Sequence, residues 1–510
     1  MDCGSHAVHG VTNSAVNLID GCAVRETHIS ILLFLGEHVL KLRKPLRFDF
    51  ADFSTLAARS EDCRREVHLN GRLAPDVYLG VADITMGGET LDHLVVMRRL
   101  PAERSLARLM CSEPESVWGV ELRAVARVLA KFHTRADRSP EISATASMRA
   151  VSDRFETNVA ATQRFVGPLL DPSNHDAVVG AIRRYLAGRD PLFAARIAAD
   201  QICDGHGDLQ ADDIYCLEDG PRILDCLEFY EGLRCGDVAA DVAFLAMDLE
   251  RLGHTEAAAL FVSDYEEWVG ARLPPSLLHT YIALRAYVRV KVACIRHEQG
   301  NHDAAEEAVG LLELAQTHLE RSRVRLVLVG GLPGSGKSTL ANALGDALGA
   351  IVLRSDELRG GRSRAVADRS VAATFRRGRY TPHRTQDVYN QLISAARHHL
   401  DLGQCVVLDA SWIDASNRSL AQELAIESSA HLTELHCTAP PEVTEGRIAM
   451  RLQDGEDPSE ATVEIGRAMA LLEAPWPTAA AVDTARPPGV VLEEALQIVG
   501  MPVVEVPSPG

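Results

Sequence analysis

Gly331-Leu-Pro-Gly-Ser-Gly-Lys337-Ser338 sets glycines, a lysine and a hydroxyl at the spacing GxxxxGK[ST]. Glycines let consecutive backbone N–H groups converge on phosphate oxygens, and a helix that starts there adds its positive end. Lys337 suits the outer phosphates of ATP and Ser338 suits Mg²⁺, with Gly331, Gly334, Ser335, Gly336 and Thr339 completing the cradle. Asp356, in SDELR, follows the next apolar run. A carboxylate there can orient or deprotonate a substrate hydroxyl, or cap a helix. Asp409 ends the run CVVLD and suits either the Mg²⁺ shell or a turn. Arg447 and Arg451 are four apart, so on a helix they share one face and can close over phosphates.

A second constellation lies upstream. His206-Gly-Asp208-Leu-Gln-Ala-Asp-Asp213 is followed, seventeen residues after Asp208, by Asp225 in LDCLEF. Phosphoryl transfer needs a carboxylate at the acceptor hydroxyl and oxygen ligands for Mg²⁺. Asp208 fits the first role, and Asp213 and Asp225 fit the second. Lysine is scarce: Lys41, Lys44, Lys131, Lys291 and Lys337 account for five of 52 cations. A lysine kept where arginine is the default suggests a need for a compact point charge. Lys41, in VLKLRKP, is the candidate for an upstream phosphate, with Lys44 a rival by register. Glu66, on the following helical stretch, is its natural ion-pair partner. His133 reads as a packed or capping histidine. Lys291 either serves a substrate pocket or packs.

The elements that must hold these residues fall into two regions. From 20 to 100, β-like runs (HISILLFLG, EHVLKLR, VYLGVADI, LDHLVVMRRL) surround one helix at 54–73, with Leu56, Cys63, Val67 and Leu73 available to a buried face. From 101 to 320 helical patterns dominate, among them Glu121–Arg135 and Asn174–Leu186, interrupted by a loop-rich stretch at 202–236. This predicts a two-lobed first domain, 20–320. A second domain, 323–485, alternates apolar strands (RVRLVLVG, AIVLRS, CVVLDA, HLTELHC) with helices, as in a parallel α/β sheet. The proline-rich stretch 486–510 is expected to be a loosely packed tail.

Composition excludes several classes. The chain has 510 residues, of which 46% are hydrophobic and 24% charged, so a mainly disordered or fibrous protein is excluded. With 52 Lys and Arg against 71 Asp and Glu, the formal charge is −19. That disfavours nucleic acid as a partner and favours a cationic small molecule. No apolar run is long enough to span a membrane, and the start MDCGSHAVHG has no signal-peptide pattern, so a cytoplasmic location is expected. The eleven cysteines are scattered without a CxxC, which reads as reduced thiols.

GLPGSGKST, SDELR, VVLDAS and the helix around RIAMR resemble the small P-loop kinases of the zeta-toxin and AAA_33-like group. That resemblance implies ATP-dependent phosphorylation of a hydroxylated acceptor, with Lys337 and Ser338 at the phosphates and Mg²⁺ and Asp356 on the acceptor side. HGDLQADD and LDCLEF resemble the aminoglycoside phosphotransferase-like branch of the protein-kinase fold. There the loop usually reads HGDxxxxN, so Asp213 replaces an asparagine and adds negative charge beside the phosphates. The same resemblance implies Lys41 and Glu66 as the nucleotide-side pair, Asp225 as a metal ligand, and VVMRRLP around Met97 as the interlobe hinge at adenine. The glycine-rich GxGxxG loop is lacking, as in many members of that branch. CRREVHLNGRL and LAPDVYLGV are similar to a two-domain bacterial family that joins the two kinase types, described as bifunctional phosphotransferase/ATP-binding proteins. The expected function is a bifunctional phosphotransferase using ATP and Mg²⁺. The alternatives are a P-loop enzyme regulated by an N-terminal pseudokinase sensor, or a toxin-like nucleotide-sugar kinase.

Overall fold

The computed structural model describes residues 17–19, 22–27, 29–47, 52–228, 231–360, 382–454 and 462–500. They fall into two compact units, 1–182 with 193–322, and 183–192 with 323–510.

The first unit begins with an antiparallel sheet of β1 (Asn17–Ile19), β2 (Cys22–Glu26), β3 (Ser30–Leu35), β4 (His38–Arg43), β5 (Tyr78–Met86) and β6 (Glu89–Arg98), in the order β1-β2-β3-β4-β6-β5. Gly36, at φ 56°, makes the tight turn from β3 to β4. The side-chain period of two in β4 puts Val39, Lys41 and Arg43 on one face. Arg43 is buried there and Lys41 partly so. The helix Leu56–Asn70 packs on this sheet, started by Thr55, whose Oγ1 accepts from the Ala58 N–H at 3.2 Å. Its buried stripe runs through Arg59, Asp62, Cys63, Glu66, Leu69 and Asn70. Cys63 and Leu73 are buried as read from the sequence, while Leu56 and Val67 are only partly so. Much of the stripe is ionic, because Asp62 and Glu66 face the cations of β4.

The rest of the unit is helical, with Glu115–Arg135, Val238–Arg251, Thr255–Val269, Pro275–Glu298 and Ala304–Arg321 supplying much of a core that contains Leu122, Leu129, Phe244, Leu249, Phe261 and Tyr287. Four short strands interrupt it: β7 (Ile202–Asp204), β8 (Ile214–Leu217), β9 (Gly220–Ile223) and β10 (Cys235–Asp237). They pair as β7 with β10 and β8 with β9, and so frame the two acidic loops.

The second unit is a five-stranded parallel sheet of β11 (Arg325–Gly330), β12 (Ile351–Arg354), β13 (Val406–Asp409), β14 (His431–Thr438) and β15 (Ala480–Asp483), ordered β12-β13-β11-β14-β15. Every residue of β11 and β13 is buried, as expected of central parallel strands covered on both faces. The loose-tail expectation fails over Pro488–Val499, which is a helix. Its Val491, Ala495 and Val499 join Val327, Val329, Leu344 and Val482 in the core. Two prolines at its start suit a helix N-terminus, so proline there marks a boundary rather than disorder.

Candidate active sites

In the first unit the face of β4 sets the chemistry. Lys41 Nζ donates to Glu66 Oε1 at 2.6 Å and to Asp225 Oδ1 at 3.0 Å. Lys44 instead meets the Thr27 carbonyl and Glu26 at 2.6 Å each, so the register selects Lys41 for the cleft. Glu66 is also held by Arg43, whose guanidinium reaches Asp62 (2.7 Å), Glu66 (2.8 Å), Glu228 (2.6 Å) and the Ser30 hydroxyl (2.9 Å). Among the described residues, Asp62, Glu66 and Glu228 form the one group of three potential metal ligands whose atoms lie within 4.8 Å of one another. Arg43 already occupies its centre, so it is an ion-pair cluster. Burial, then the neighbouring Glu66, pushes the Glu228 carboxyl up to about 8. Burial likewise raises Asp62.

Asp225 has a left-handed backbone, φ 61°, which is costly for a non-glycine residue. Its N–H donates to the Tyr78 hydroxyl at 3.3 Å, and the next N–H, of Cys226, donates to Asn70 Oδ1 at 2.8 Å. These bonds support the strained turn. Half of its side chain stays exposed, and Lys41 holds its carboxyl below the usual range.

The loop carrying Asp208 is fixed by Asp241, in the first turn of Val238–Arg251. Its carboxylate accepts the N–H of His206 (2.6 Å) and of Gly207 (2.9 Å), and lies 3.3 Å from His133 Nε2. Burial opposes its ionisation, but His133 and these N–H groups hold Asp241 well below the usual carboxylate range. A Cβ at Gly205 would sit 2.4 Å from Asp241, and Gly207 is at φ 86°, so both positions demand glycine. His206 closes the second loop through Nε2 to the Leu224 carbonyl at 3.0 Å. Burial first, then Asp225, pushes Asp208 up to about 6 against Arg289 and Arg285. Burial, Asp225 and Asp208 raise Asp213 well above its ordinary value. Their ligand atoms do not close to within 4.8 Å of one another as those of Asp62, Glu66 and Glu228 do, but a divalent cation between them would relieve their repulsion. Met97 lies in β6 opposite Val39 and Tyr78 and packs beside Val95 and Leu224, where the sheet gives way to the loop at 99–101.

In the second unit β11 runs into the glycine loop, and Gly336 caps the helix Lys337–Leu348. Gly331, Gly334 and Gly336 have φ of 141°, 79° and 80°. A Cβ at Gly331 would lie 2.6 Å from the Cys437 carbonyl, and one at Gly334 2.5 Å from that of Thr444. These are close approaches that only glycine permits. Ser338 and Lys337 are partly exposed and Thr339 exposed at the start of that helix. Asp409 ends β13 beside Arg354 of β12, with Arg354 Nε 3.2 Å from Oδ2. Its other oxygen, Oδ1, is buried without a hydrogen-bond partner, as is Ser335 Oγ. An orphaned carboxylate oxygen at a phosphate loop is what a hydrated Mg²⁺ would satisfy. Asp356 lies on Ser355–Gly360, directly after β12. Arg447, on the helix Pro441–Asp454, donates to Gly334 O of the loop (3.4 Å) and to Thr484 O after β15 (2.8 Å), so it braces the cradle. Arg451 is on that helix, but its side chain is outside the described residues. A cavity of about 260 Å³ opens beside Leu332, Pro333 and Ser335, with His436, Thr444 and Glu473 also on its wall.

Sequence reading missed Arg43, Asp62 and Glu228, whose partners are far away in the chain. It also missed Asp241, although an acidic residue opening the helical run after HGD is a usable signal. His133 is indeed packed, against Tyr265 and Asp241, and Lys291 donates to Asn158 Oδ1 at 2.6 Å. Cys63, Cys111, Cys203, Cys216, Cys226, Cys235, Cys294, Cys405 and Cys437 are free thiols.

Comparison with known proteins agrees with this division. Residues 326–474 match the AAA_33 family, an AAA domain. Rv2004c of Mycobacterium tuberculosis and Mb2027c of Mycobacterium bovis, both described as uncharacterized proteins, are each 39% identical over 469 residues, covering 91% of this chain and 92% of theirs. Among solved structures, a choline/ethanolamine kinase family protein from Mesorhizobium loti is 15% identical, covering 59% of this chain and 88% of its own, with a TM-score of 0.39. A sugar kinase from Janibacter is 22% identical, covering 35% of this chain and 95% of its own, with a TM-score of 0.28. The chain belongs to the family of these mycobacterial proteins, and its residues 326–474 are an AAA_33 region.

Proposed function

We propose that this protein is a bifunctional ATP-dependent phosphotransferase, each unit moving a γ-phosphoryl group from MgATP to a small hydroxylated acceptor. The observation that carries this reading is the position of Lys41, with Nζ 2.6 Å from Glu66 and 3.0 Å from Asp225, in a chain that also holds a complete phosphate loop. MgATP, when bound, supplies the phosphoryl group and the electrophilic phosphorus. In the first unit Lys41 holds phosphate oxygens, and Glu66 keeps its ammonium in place. Asp213 and Asp225 are the residues to hold Mg²⁺. Asp208 orients the acceptor hydroxyl and takes its proton. Asp241 and His206 position that loop, and the region of Met97 borders adenine. In the second unit the backbone of Gly331, Gly334, Ser335 and Gly336 and the Lys337 ammonium bind phosphates, with Thr339 beside them. Ser338 and Asp409 are the residues to hold Mg²⁺. Asp356 orients the second acceptor, and Arg447 and Arg451 stand on the helix that flanks the nucleotide. Among the described residues no helix is long and apolar enough to cross a membrane, which fits our assignment to the cytoplasm, where ATP is plentiful.

A second reading has one observation in its favour. Asp213 stands where an asparagine is usual and is crowded by Asp208 and Asp225. On that reading the first unit senses nucleotide for a working P-loop enzyme. Counting nucleotide sites tests the proposal: calorimetry with a non-hydrolysable MgATP analogue is expected to give two sites per chain. One site should remain in Lys337→Ala and one in Lys41→Ala. A single site in the unaltered chain refutes a two-site enzyme.

A further inference from the structure

The net charge of −19 points toward cationic acceptors, but beside the carboxylates of Asp225 and Asp248 two cations, Arg289 and Arg285, also act on Asp208. The Asp208 loop is tied to the first turn of Val238–Arg251 through Asp241. Arg285, on the packed neighbouring helix Pro275–Glu298, is tied to that same turn. Its Nε donates to the Ala240 carbonyl at 3.4 Å, and its guanidinium lies over the Phe244 ring, 5.0 Å from the centroid. One turn of one helix therefore registers both Asp208 and Arg285. Arg289 follows Arg285 by four residues, so it projects from the same face of its helix.

Arg289 is half-buried, yet it makes no hydrogen bond or ion pair with any described residue. Other arginines of this unit's interior are committed: Arg43 to Asp62, Glu66 and Glu228, Arg196 to Asp237, and Arg234 to Asp204. Desolvating a guanidinium without a partner costs free energy that an anionic ligand would return. Its planar fork matches a carboxylate or phosphate in two parallel hydrogen bonds. The two arginines are also the cations whose fields act most on Asp208, although neither is within ion-pair distance of it. Lys291 does not compete for this place, because Asn158 holds it.

We propose that the acceptor of the N-terminal site is a hydroxylated anion, a small molecule bearing a carboxylate or phosphate besides the hydroxyl that reacts, and that Arg289 and Arg285 hold its anionic group. The inference rests on the kinase reading of this site. In the transfer, the acceptor oxygen bonds to the γ-phosphorus and the bond from that phosphorus to the ADP oxygen breaks. The hydroxyl proton passes to the Asp208 carboxylate. A kanamycin-like polycation would instead meet two like charges beside the reacting hydroxyl.

The test uses the full chain carrying Lys337→Ala, so that the P-loop site is silent. Binding to the MgADP-loaded protein is measured by calorimetry, and phosphoryl transfer from MgATP by product analysis. The probes are D-glycerate (carboxylate), glycerol 3-phosphate and glucose 6-phosphate (phosphates), glucose (neutral) and kanamycin (cation). We expect at least one anion to bind more tightly than glucose and kanamycin. Which anion prevails separates a carboxylate from a phosphate acceptor. Adding Arg289→Ala should weaken that binding tenfold or more, with MgATP affinity changed less than twofold, and Arg289→Lys should restore part of it. Preferential binding of kanamycin or glucose overturns the proposal. So does an Arg289→Ala protein with unchanged anion affinity, or one that loses MgATP affinity instead. Failure of the Lys337→Ala protein to bind MgATP at all would count against the kinase reading, and is separately visible.

Discussion

At Asp208 burial works against ionisation. Its carboxyl is pushed up to about 6, chiefly by burial and also by Asp225, with Arg289 and Arg285 opposing. A base must be deprotonated to accept a proton, so transfer by this site should rise with pH through about 6 and level off above it. The stability sign is the reverse. A carboxyl raised from 3.8 favours the fold fully below that value, and this contribution is lost as pH rises through about 6. Asp208→Asn should therefore make the protein more stable at pH 8, by roughly 1–2 kcal/mol after allowance for solvent screening, while abolishing transfer. Urea denaturation of both proteins at pH 8 checks this, and a less stable variant contradicts it. Asp208 was readable from the sequence because HGD is a local pattern. Its raised carboxyl was not, because burial and Asp225, which raise it, depend on other elements folding around it. Lys41 and Lys44 were both plausible until their partners separated them, Glu66 and Asp225 for Lys41, Glu26 and the Thr27 carbonyl for Lys44.

On the scale of elements, β4 and the helix Leu56–Asn70 are joined by ions where an amphipathic reading expected apolar contacts. Arg43 bridges Asp62 and Glu66 of the helix to Glu228, beyond Asp225. It thereby holds Glu66, one of the two partners of Lys41, directly. Removing a buried cation from its acidic partners leaves buried charge uncompensated, so Arg43→Ala should cost about 3–5 kcal/mol in urea denaturation. It should also weaken nucleotide binding at this site more than at the P-loop. Glu228, pushed up to about 8, adds a pH signature. Its contribution to stability is present at low pH and lost as pH rises through about 8. The denaturation midpoint should fall between about pH 5 and 8 in the unaltered chain and level off above that, and should fall less in Glu228→Gln. A cluster like this is hard to read from sequence, since Arg43 and Glu228 are 185 positions apart. The phosphate loop was readable for the opposite reason: strand, glycines, lysine and helix are consecutive, and each glycine answers a local steric demand.

On the scale of the whole molecule, the sequence showed two kinds of unit through a change in hydrophobic pattern. Alternating strands and long helices precede position 323, and continuous apolar strands follow it. The expected loose tail misread Pro488–Val499, because its prolines were weighed as disorder when they begin a helix whose apolar face closes the second core. Net charge is a coarser guide, since a sum over 510 residues says little about the field at one carboxylate. The account rests on two working sites in one chain, and the first is the more exposed to refutation. The most direct measurement is acceptor-dependent phosphoryl transfer from MgATP by the Lys337→Ala protein, across hydroxylated anions, neutral sugars and aminoglycosides. The account predicts transfer to at least one acceptor, and its loss when Asp208→Asn is added. A Lys337→Ala protein that binds MgATP but phosphorylates none of them would contradict the account and leave the first unit a nucleotide sensor.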